Sequence, residues 1–157
     1  MEKHSQGQRR KRLLAISSPG GHWVQLRLLD PAWHDHEVVY ACAGEARANE
    51  VAPARYHAIP DASRRDLRGL WHLARALWRV MRIERPDVVV TTGAAPGGLA
   101  ILIGRLFRAR TVWIDSVANA ERLSLSGRVF GRIAHKWLTQ WPHLARPEGP
   151  EYLGAVL

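Results

Sequence analysis

Two short apolar runs each end in a glycine-rich turn, and this pattern restricts the fold more than any other feature of the chain. Leu13-Leu14-Ala15-Ile16 leads into Ser17-Ser18-Pro19-Gly20-Gly21-His22, and Asp87-Val88-Val89-Val90-Thr91 leads into Thr92-Gly93-Ala94-Ala95-Pro96-Gly97-Gly98. A continuous apolar run bounded by glycine reads as a strand buried on both faces, the kind found in parallel sheets. Further runs at Glu37 to Ala41, Tyr56 to Ile59, Thr111 to Ile114 and Lys136 to Thr139 are rich in β-branched or aromatic residues and read as strands too. Helical patterns separate them: one begins near His22, the clearest spans Asp66 to Glu84, and shorter ones cover Gly97 to Phe107 and Gly127 to His135. This alternation predicts the α/β class, a Rossmann-like doubly wound parallel sheet with helices on both faces. The loop Pro142 to Pro150 leads to a last strand-like piece, Tyr152 to Leu157, with no element after it to cover it. That piece is expected to continue into, or dock against, something outside this polypeptide.

With 157 residues, 46% of them apolar, the chain has the makings of one domain, expected to run from residue 13 to residue 157. Residues 1–12 carry nothing to bury and are expected to form a disordered basic tail. Lys3, Arg9, Arg10, Lys11 and Arg12 against Glu2 give that tail +4 of the net +9, leaving +5 for the folded part. A polyanion, an anionic membrane surface or a phosphate-bearing ligand is the partner such a charge implies. Cys42 is the only cysteine, which excludes a disulfide framework or a cysteine zinc cage and suits a reducing compartment. The best apolar run, Gly97 to Gly104, stops at Arg105 and is too short to span a bilayer, and Leu13 to Ile16 is too brief for a signal peptide. The expectation is a cytoplasmic protein whose membrane attachment, if it has one, is peripheral.

At the carboxyl edge of a parallel sheet both glycine turns would present the free N–H groups of a helix start to an anionic ligand. Neither has the G-x-G-x-x-G spacing of a dinucleotide site nor the Gly-Lys-Ser/Thr end of a P-loop, and no cofactor is expected. The glycines have a second reading as residues that merely permit tight turns. His22 could contact a phosphate or take a proton from an attacking hydroxyl, or could be an ordinary solvated histidine of a first helical turn. Asp115, at the tip of the Thr111 to Ile114 strand, has two readings as well, a base for a substrate hydroxyl or a cap for the turn that follows. His34 and His36 flank Asp35, a local cluster short of the three or four converging ligands of a metal site, so no metal is expected. On the Asp66 to Glu84 helix, Arg68, His72, Arg75, Arg79 and Arg82 fall in one stripe with Trp71 and Trp78 beside it. That arrangement suits lipid headgroups, or a helix wedged against neighbours with its arginines in water.

Four segments in order carry a family resemblance: Ser17-Ser18-Pro19-Gly20-Gly21-His22; Arg85-Pro86-Asp87-Val88-Val89-Val90-Thr91-Thr92-Gly93-Ala94-Ala95-Pro96; Ile114-Asp115-Ser116 with Ser124-Leu125-Ser126-Gly127-Arg128; and Gln140-Trp141-Pro142 with Tyr152-Leu153-Gly154. From about Leu13 to Leu157 the chain resembles the family of asparagine-linked glycosylation protein fourteen and its bacterial exopolysaccharide counterparts, the acceptor-side subunits of split UDP-sugar transferases. More distantly it resembles the single-chain transferase that adds N-acetylglucosamine in peptidoglycan precursor synthesis. The resemblance implies the N-terminal half of a GT-B glycosyltransferase that binds a lipid-linked acceptor. It also implies a soluble partner subunit holding most of the UDP-sugar site, with catalysis in the cleft between the chains at the cytoplasmic membrane face.

On that footing Ser18, Gly20, Gly21, Gly93, Ala94, Gly97, Gly98 and Ser116 are expected at the acceptor diphosphate, and His22 or Asp115 at the acceptor hydroxyl. Arg68, Trp71, Arg75, Trp78, Arg79 and Arg82 are expected at the anionic membrane surface. The chain departs from the family pattern in its basic tail in place of a spanning helix, in Pro19, which lengthens the first loop, and in Asp115 and Asn119, where many members have Glu and Arg. Two rival readings are a non-catalytic scaffold that only recruits the partner, and a basic nucleic-acid-binding domain; no nucleic-acid partner is expected on the leading one.

Overall fold

The computed structural model describes residues 10–63 and 65–156. Seven strands form one parallel sheet in the order β3-β2-β1-β4-β5-β6-β7. They are β1 (Arg12–Ile16), β2 (Glu37–Ala43), β3 (Arg55–Ile59), β4 (Val88–Thr91), β5 (Arg110–Ile114), β6 (Lys136–Thr139) and β7 (Glu151–Tyr152). The helices are α1 (Gly21–Leu28), α2 (Ala48–Val51), α3 (Leu67–Glu84) and α4 (Ala94–Leu106). Strand order reverses between β1, which pairs with both β2 and β4, and β4. The connections after β1 and β4 therefore leave the sheet on opposite sides and open a crevice at their carboxyl ends.

Alternate residues of the strands supply two cores. One face carries Leu14, Ile16, Val39, Ala41 and Val89 against Leu73, Leu77 and Met81 of α3 and Ala100 and Ile103 of α4. The other carries Leu13, Ala15, Tyr40, Cys42, Val90 and Ile114 against Trp23 and Leu26 of α1 and Trp33. Each fully buried Leu or Met contributes about 1.5–3 kcal/mol. Cover on this second face is thinner toward β5 and β6, where Val112 and Leu138 are only half-buried. Helix α3 starts where Asp66 accepts a hydrogen bond from Gly69 N (2.9 Å) and stops where Arg85 turns left-handed before Pro86. Its buried Glu84 carboxylate then meets His57 Nε2 at 2.7 Å and Arg55 Nη2 at 3.1 Å, tying the helix end to β3.

The α/β class and the parallel sheet are those read from the sequence, and three details differ. Arg12 is the first residue of β1, not part of a tail: its N–H donates to Asp87 and its Nη1 to the Glu84 carbonyl. The rest of the expected tail, residues 1–9, lies outside the described residues. The helix expected over Gly127 to His135 is a single wide turn, Gly127–Gly131. Both of its glycines are pressed against neighbours, Gly127 on Asp115 and Ser124, and Gly131 on the Trp137 ring, which leaves no room for a longer helix to roll. The strand expected over Tyr152 to Leu157 is confined to Glu151–Tyr152, and beyond it Val156 N donates to the Gln140 side chain instead of to a ladder. No helix among the described residues is long and apolar enough to cross a membrane.

Candidate active site

The two glycine turns meet at the switch point. Gly20 (φ 80°) and Gly93 (φ 121°) occupy backbone regions that side chains rarely enter, so each strand can turn abruptly into α1 and α4. Ala94 follows with φ 62°, a strained conformation for a residue with a Cβ, at the wall of the site. His22 Nδ1 lies 2.8 Å from the Thr92 carbonyl oxygen, and Thr92 Oγ1 donates to the His22 carbonyl at 2.8 Å. The two loops are thus joined in both directions. A carbonyl only accepts, so Nδ1 carries the proton and Nε2 of the neutral ring is left with its lone pair.

His22 lines a cavity of about 190 Å³ together with Gly93, Ala94, Asp115, Ser116, Asn119, Ser124 and Ser126. Asp115 is 2% exposed. Its Oδ1 accepts from Ser116 N (3.2 Å) and Asn119 Nδ2 (3.1 Å), and its Oδ2 from Ser124 N (3.4 Å). One carboxylate therefore gathers the segment from residue 116 to residue 124 over the end of β5. Gln25 of α1 completes the hold, donating to the Asp115 carbonyl and accepting from Val117 N. The cavity shares Ala94, Asn119, Ser124 and Ser126 with a larger one of about 990 Å³, bounded by Leu70 of α3, Leu99 of α4 and the irregular segment up to Phe130.

A family model described as "Oligosaccharide biosynthesis protein Alg14 like" matches residues 46–156, more than half of the chain. The chain belongs to the Alg14 family. Among relatives of this Alg14-family chain, the "UDP-N-acetylglucosamine transferase subunit ALG14" of Mus musculus is 27% identical over 184 residues, covering 93% of this chain and 83% of the mouse protein. The subunit of the same name from Schizosaccharomyces pombe is 32% identical over 77 residues, covering 45% of this chain and 37% of that protein. Among solved structures, MurG of Acinetobacter baumannii superposes with a TM-score of 0.73 at 14% identity, covering 92% of this chain and 45% of MurG. The fold is that of the N-terminal half of the GT-B architecture.

Of the residues singled out in the sequence, His22, Gly93, Ala94, Asp115 and Ser116 come together around the smaller cavity of this Alg14-family domain. Ser18, Gly20 and Gly21 lie at the same sheet edge but line neither cavity. Gly97 and Gly98, expected at the acceptor diphosphate, line neither cavity. Both are buried, and an added Cβ would sit 2.3 Å from Thr91 Oγ1 at Gly97 and 2.4 Å from the Phe130 ring at Gly98. They let α4 lie close to β4 and to the 127–131 turn, which is a packing function. The side chains of Arg68, Trp71, Arg75, Trp78, Arg79 and Arg82 all lie on the exposed side of α3. Trp71 is 66% exposed, while Trp78 packs edge-on against Phe107, just after α4, with ring centroids 4.8 Å apart. Sequence reasoning missed Asn119, Ser124 and Ser126 as wall residues and Thr92 as the partner of His22, and missed Arg122 and Arg128. The signal lay in Ser124-Leu125-Ser126-Gly127-Arg128, a segment noticed for its family likeness and not given a role.

Proposed function

We propose that this chain is the membrane-associated acceptor subunit of a two-chain glycosyltransferase. The pair transfers N-acetylglucosamine, or a related sugar, from a UDP-sugar to a polyprenyl-diphosphate-linked saccharide in oligosaccharide or exopolysaccharide assembly. The observation that carries the reading is a basic imidazole nitrogen held at a cavity on the GT-B switch point, in a domain that covers less than half of a whole GT-B enzyme. The relatives' designation as UDP-N-acetylglucosamine transferase subunits supports the sugar class and the need for a second chain.

In this mechanism the acceptor hydroxyl enters the small cavity beside His22. Nε2 takes its proton as the oxygen attacks the anomeric carbon of the donor, which the partner presents from across the cleft, and UDP leaves from the opposite face with inversion. The Thr92 carbonyl holds the ring in the productive tautomer and stabilises the imidazolium that forms, since Nδ1–H remains its donor. Asp115 acts at one remove: with both carboxylate oxygens accepting N–H bonds it positions Ser116, Asn119 and Ser124 at the cavity wall and leaves proton transfer to His22. No metal or cofactor is assigned a step.

The α3 stripe, with exposed Leu102 and Leu106 of the neighbouring α4, forms the face that meets anionic lipid at the cytoplasmic surface. The soluble partner is expected to cover the thinly packed sheet face at Val112 and Leu138 as well as the cleft. Purifying the tagged chain from gently solubilised membranes of its native cells and identifying its companions by mass spectrometry tests the reading. One soluble chain of similar size in equimolar amount is expected. Recovery from the soluble fraction alone, or with nucleic acid attached, overturns it.

A further inference from the structure

The larger cavity is walled mainly by apolar side chains, the smaller mainly by polar ones, and the two share Ala94, Asn119, Ser124 and Ser126. Leu70, Leu99, Leu123, Leu125, Val129 and Phe130 contribute its walls, about 990 Å³ in all, a size that suits a small-molecule ligand. Leu125 and Val129 are each 56% exposed at its rim, apolar side chains left in water beside a hollow that an apolar occupant would cover. Among the described residues, the charged side chains in the lining are Arg122 and Arg128. Neither makes an ion pair among the described residues. Two free guanidinium groups at the rim of an apolar hollow match a ligand with an anionic head and a hydrocarbon tail. Ser63, Asn119, Ser124 and Ser126 also line the hollow and suit a saccharide, but a saccharide or an acidic peptide alone would leave the apolar wall unfilled. The hollow lies on the α3 and α4 side of the sheet, the side that carries the arginine stripe.

We propose, resting on the acceptor reading above, that this hollow seats the first isoprene units of the polyprenyl chain, with Arg122 and Arg128 gripping the diphosphate. The lipid then runs from the bilayer between α3 and α4, the diphosphate stays at the arginines, and the sugar beyond it reaches His22 through the shared wall at Asn119, Ser124 and Ser126.

Calorimetric titration of the co-purified complex with farnesyl diphosphate and with inorganic diphosphate tests this. Farnesyl diphosphate should bind at least tenfold more tightly than inorganic diphosphate. Val129→Asp, at an exposed rim position, should weaken farnesyl diphosphate about tenfold and leave inorganic diphosphate unchanged. Leu125→Gln should act in the same direction, which guards against a fold defect in one variant. Arg122→Ala with Arg128→Ala should weaken both ligands about tenfold or more. Equal affinity for the two ligands, or rim variants that bind farnesyl diphosphate like the wild type, would overturn the lipid site. So would a photoreactive farnesyl diphosphate that labels the partner chain and spares Leu125 and Val129. The same preparations are assayed for UDP-sugar turnover on lipid-linked acceptors. Turnover with no farnesyl preference refutes this inference alone, whereas binding without any turnover refutes the acceptor-subunit reading.

Discussion

Replacing His22 separates its two roles, because it makes one bond that a glutamine can keep and carries one lone pair that a glutamine cannot supply. In His22→Gln the amide can still donate to the Thr92 carbonyl, and the Thr92 Oγ1 bond to the residue 22 backbone is untouched. In His22→Ala only the second survives. The lost bond is half-buried and neutral, worth about 1 kcal/mol. For a domain of this size that lowers the melting temperature by about 2–4 °C in the alanine variant, and by less in the glutamine variant. Loss of a general base costs about 10²–10⁴ in rate, in both variants alike. The rate effect thus exceeds anything the stability loss can produce in a protein that is still folded at the assay temperature. Turnover of the assembled pair, measured with saturating UDP-sugar across pH, should fall by that factor in both variants. A glutamine variant with wild-type turnover would refute the assignment of proton transfer to His22. A rate loss seen only in alanine would reduce His22 to a staple between the loops.

Other consequences are open to direct measurement. Gly98→Ala drives a Cβ to within 2.4–2.8 Å of three Phe130 ring atoms. Overpacking at about 1–3 kcal/mol outweighs the helix-propensity gain of about 1 kcal/mol, so the variant should melt a few degrees lower, with an altered farnesyl diphosphate affinity because Phe130 lines the apolar hollow. Tyr40, buried and hydrogen-bonded to Asp30, has its phenol pKa pushed up to about 12 from 10.0. The folded state holds that proton more tightly than the unfolded one, so its contribution is complete below about pH 10 and is lost between about 10 and 12. Urea midpoints should fall across that window, and fall less in Tyr40→Phe. Arg75→Gln with Arg79→Gln removes two charges worth about 1 kcal/mol each at an anionic surface, so sedimentation with anionic vesicles should weaken about thirtyfold, with neutral vesicles unaffected. Equal binding of both variants and both lipids would remove α3 from the membrane.

The fold was legible because its parts are local. β6 falls at Lys136–Thr139 as its β-branched and aromatic content indicated, and α3 begins and ends within a residue of its cap and its Arg-Pro stop. The glycine turns led to His22 for the same reason: a strand, a tight turn and a helix are consecutive in sequence. What could not be read was tertiary. The segment from residue 116 to residue 126 has no period, and its path is set by the Asp115 carboxylate catching Ser124 N from nine residues away. Arg122, Ser124, Ser126 and Arg128 enter the cavity walls only through that closure. The wide turn at Gly127–Gly131 likewise exists because Gly98, Gly127 and Gly131 have no side chains where Phe130, Asp115 and Trp137 must fit. A periodic pattern registers apolar positions and is blind to such close approaches.

The measurement that bears most directly on the central claim is transfer from radiolabelled UDP-N-acetylglucosamine to a polyprenyl-diphosphate-linked saccharide on anionic vesicles, by this chain, by its co-purified partner, and by the two combined. The account predicts product from the combination, none from either chain alone, and a loss of about 10²-fold or more when the combination carries His22→Gln. Full turnover by the partner alone would contradict it, since the cavity at His22 would then have no part in the reaction.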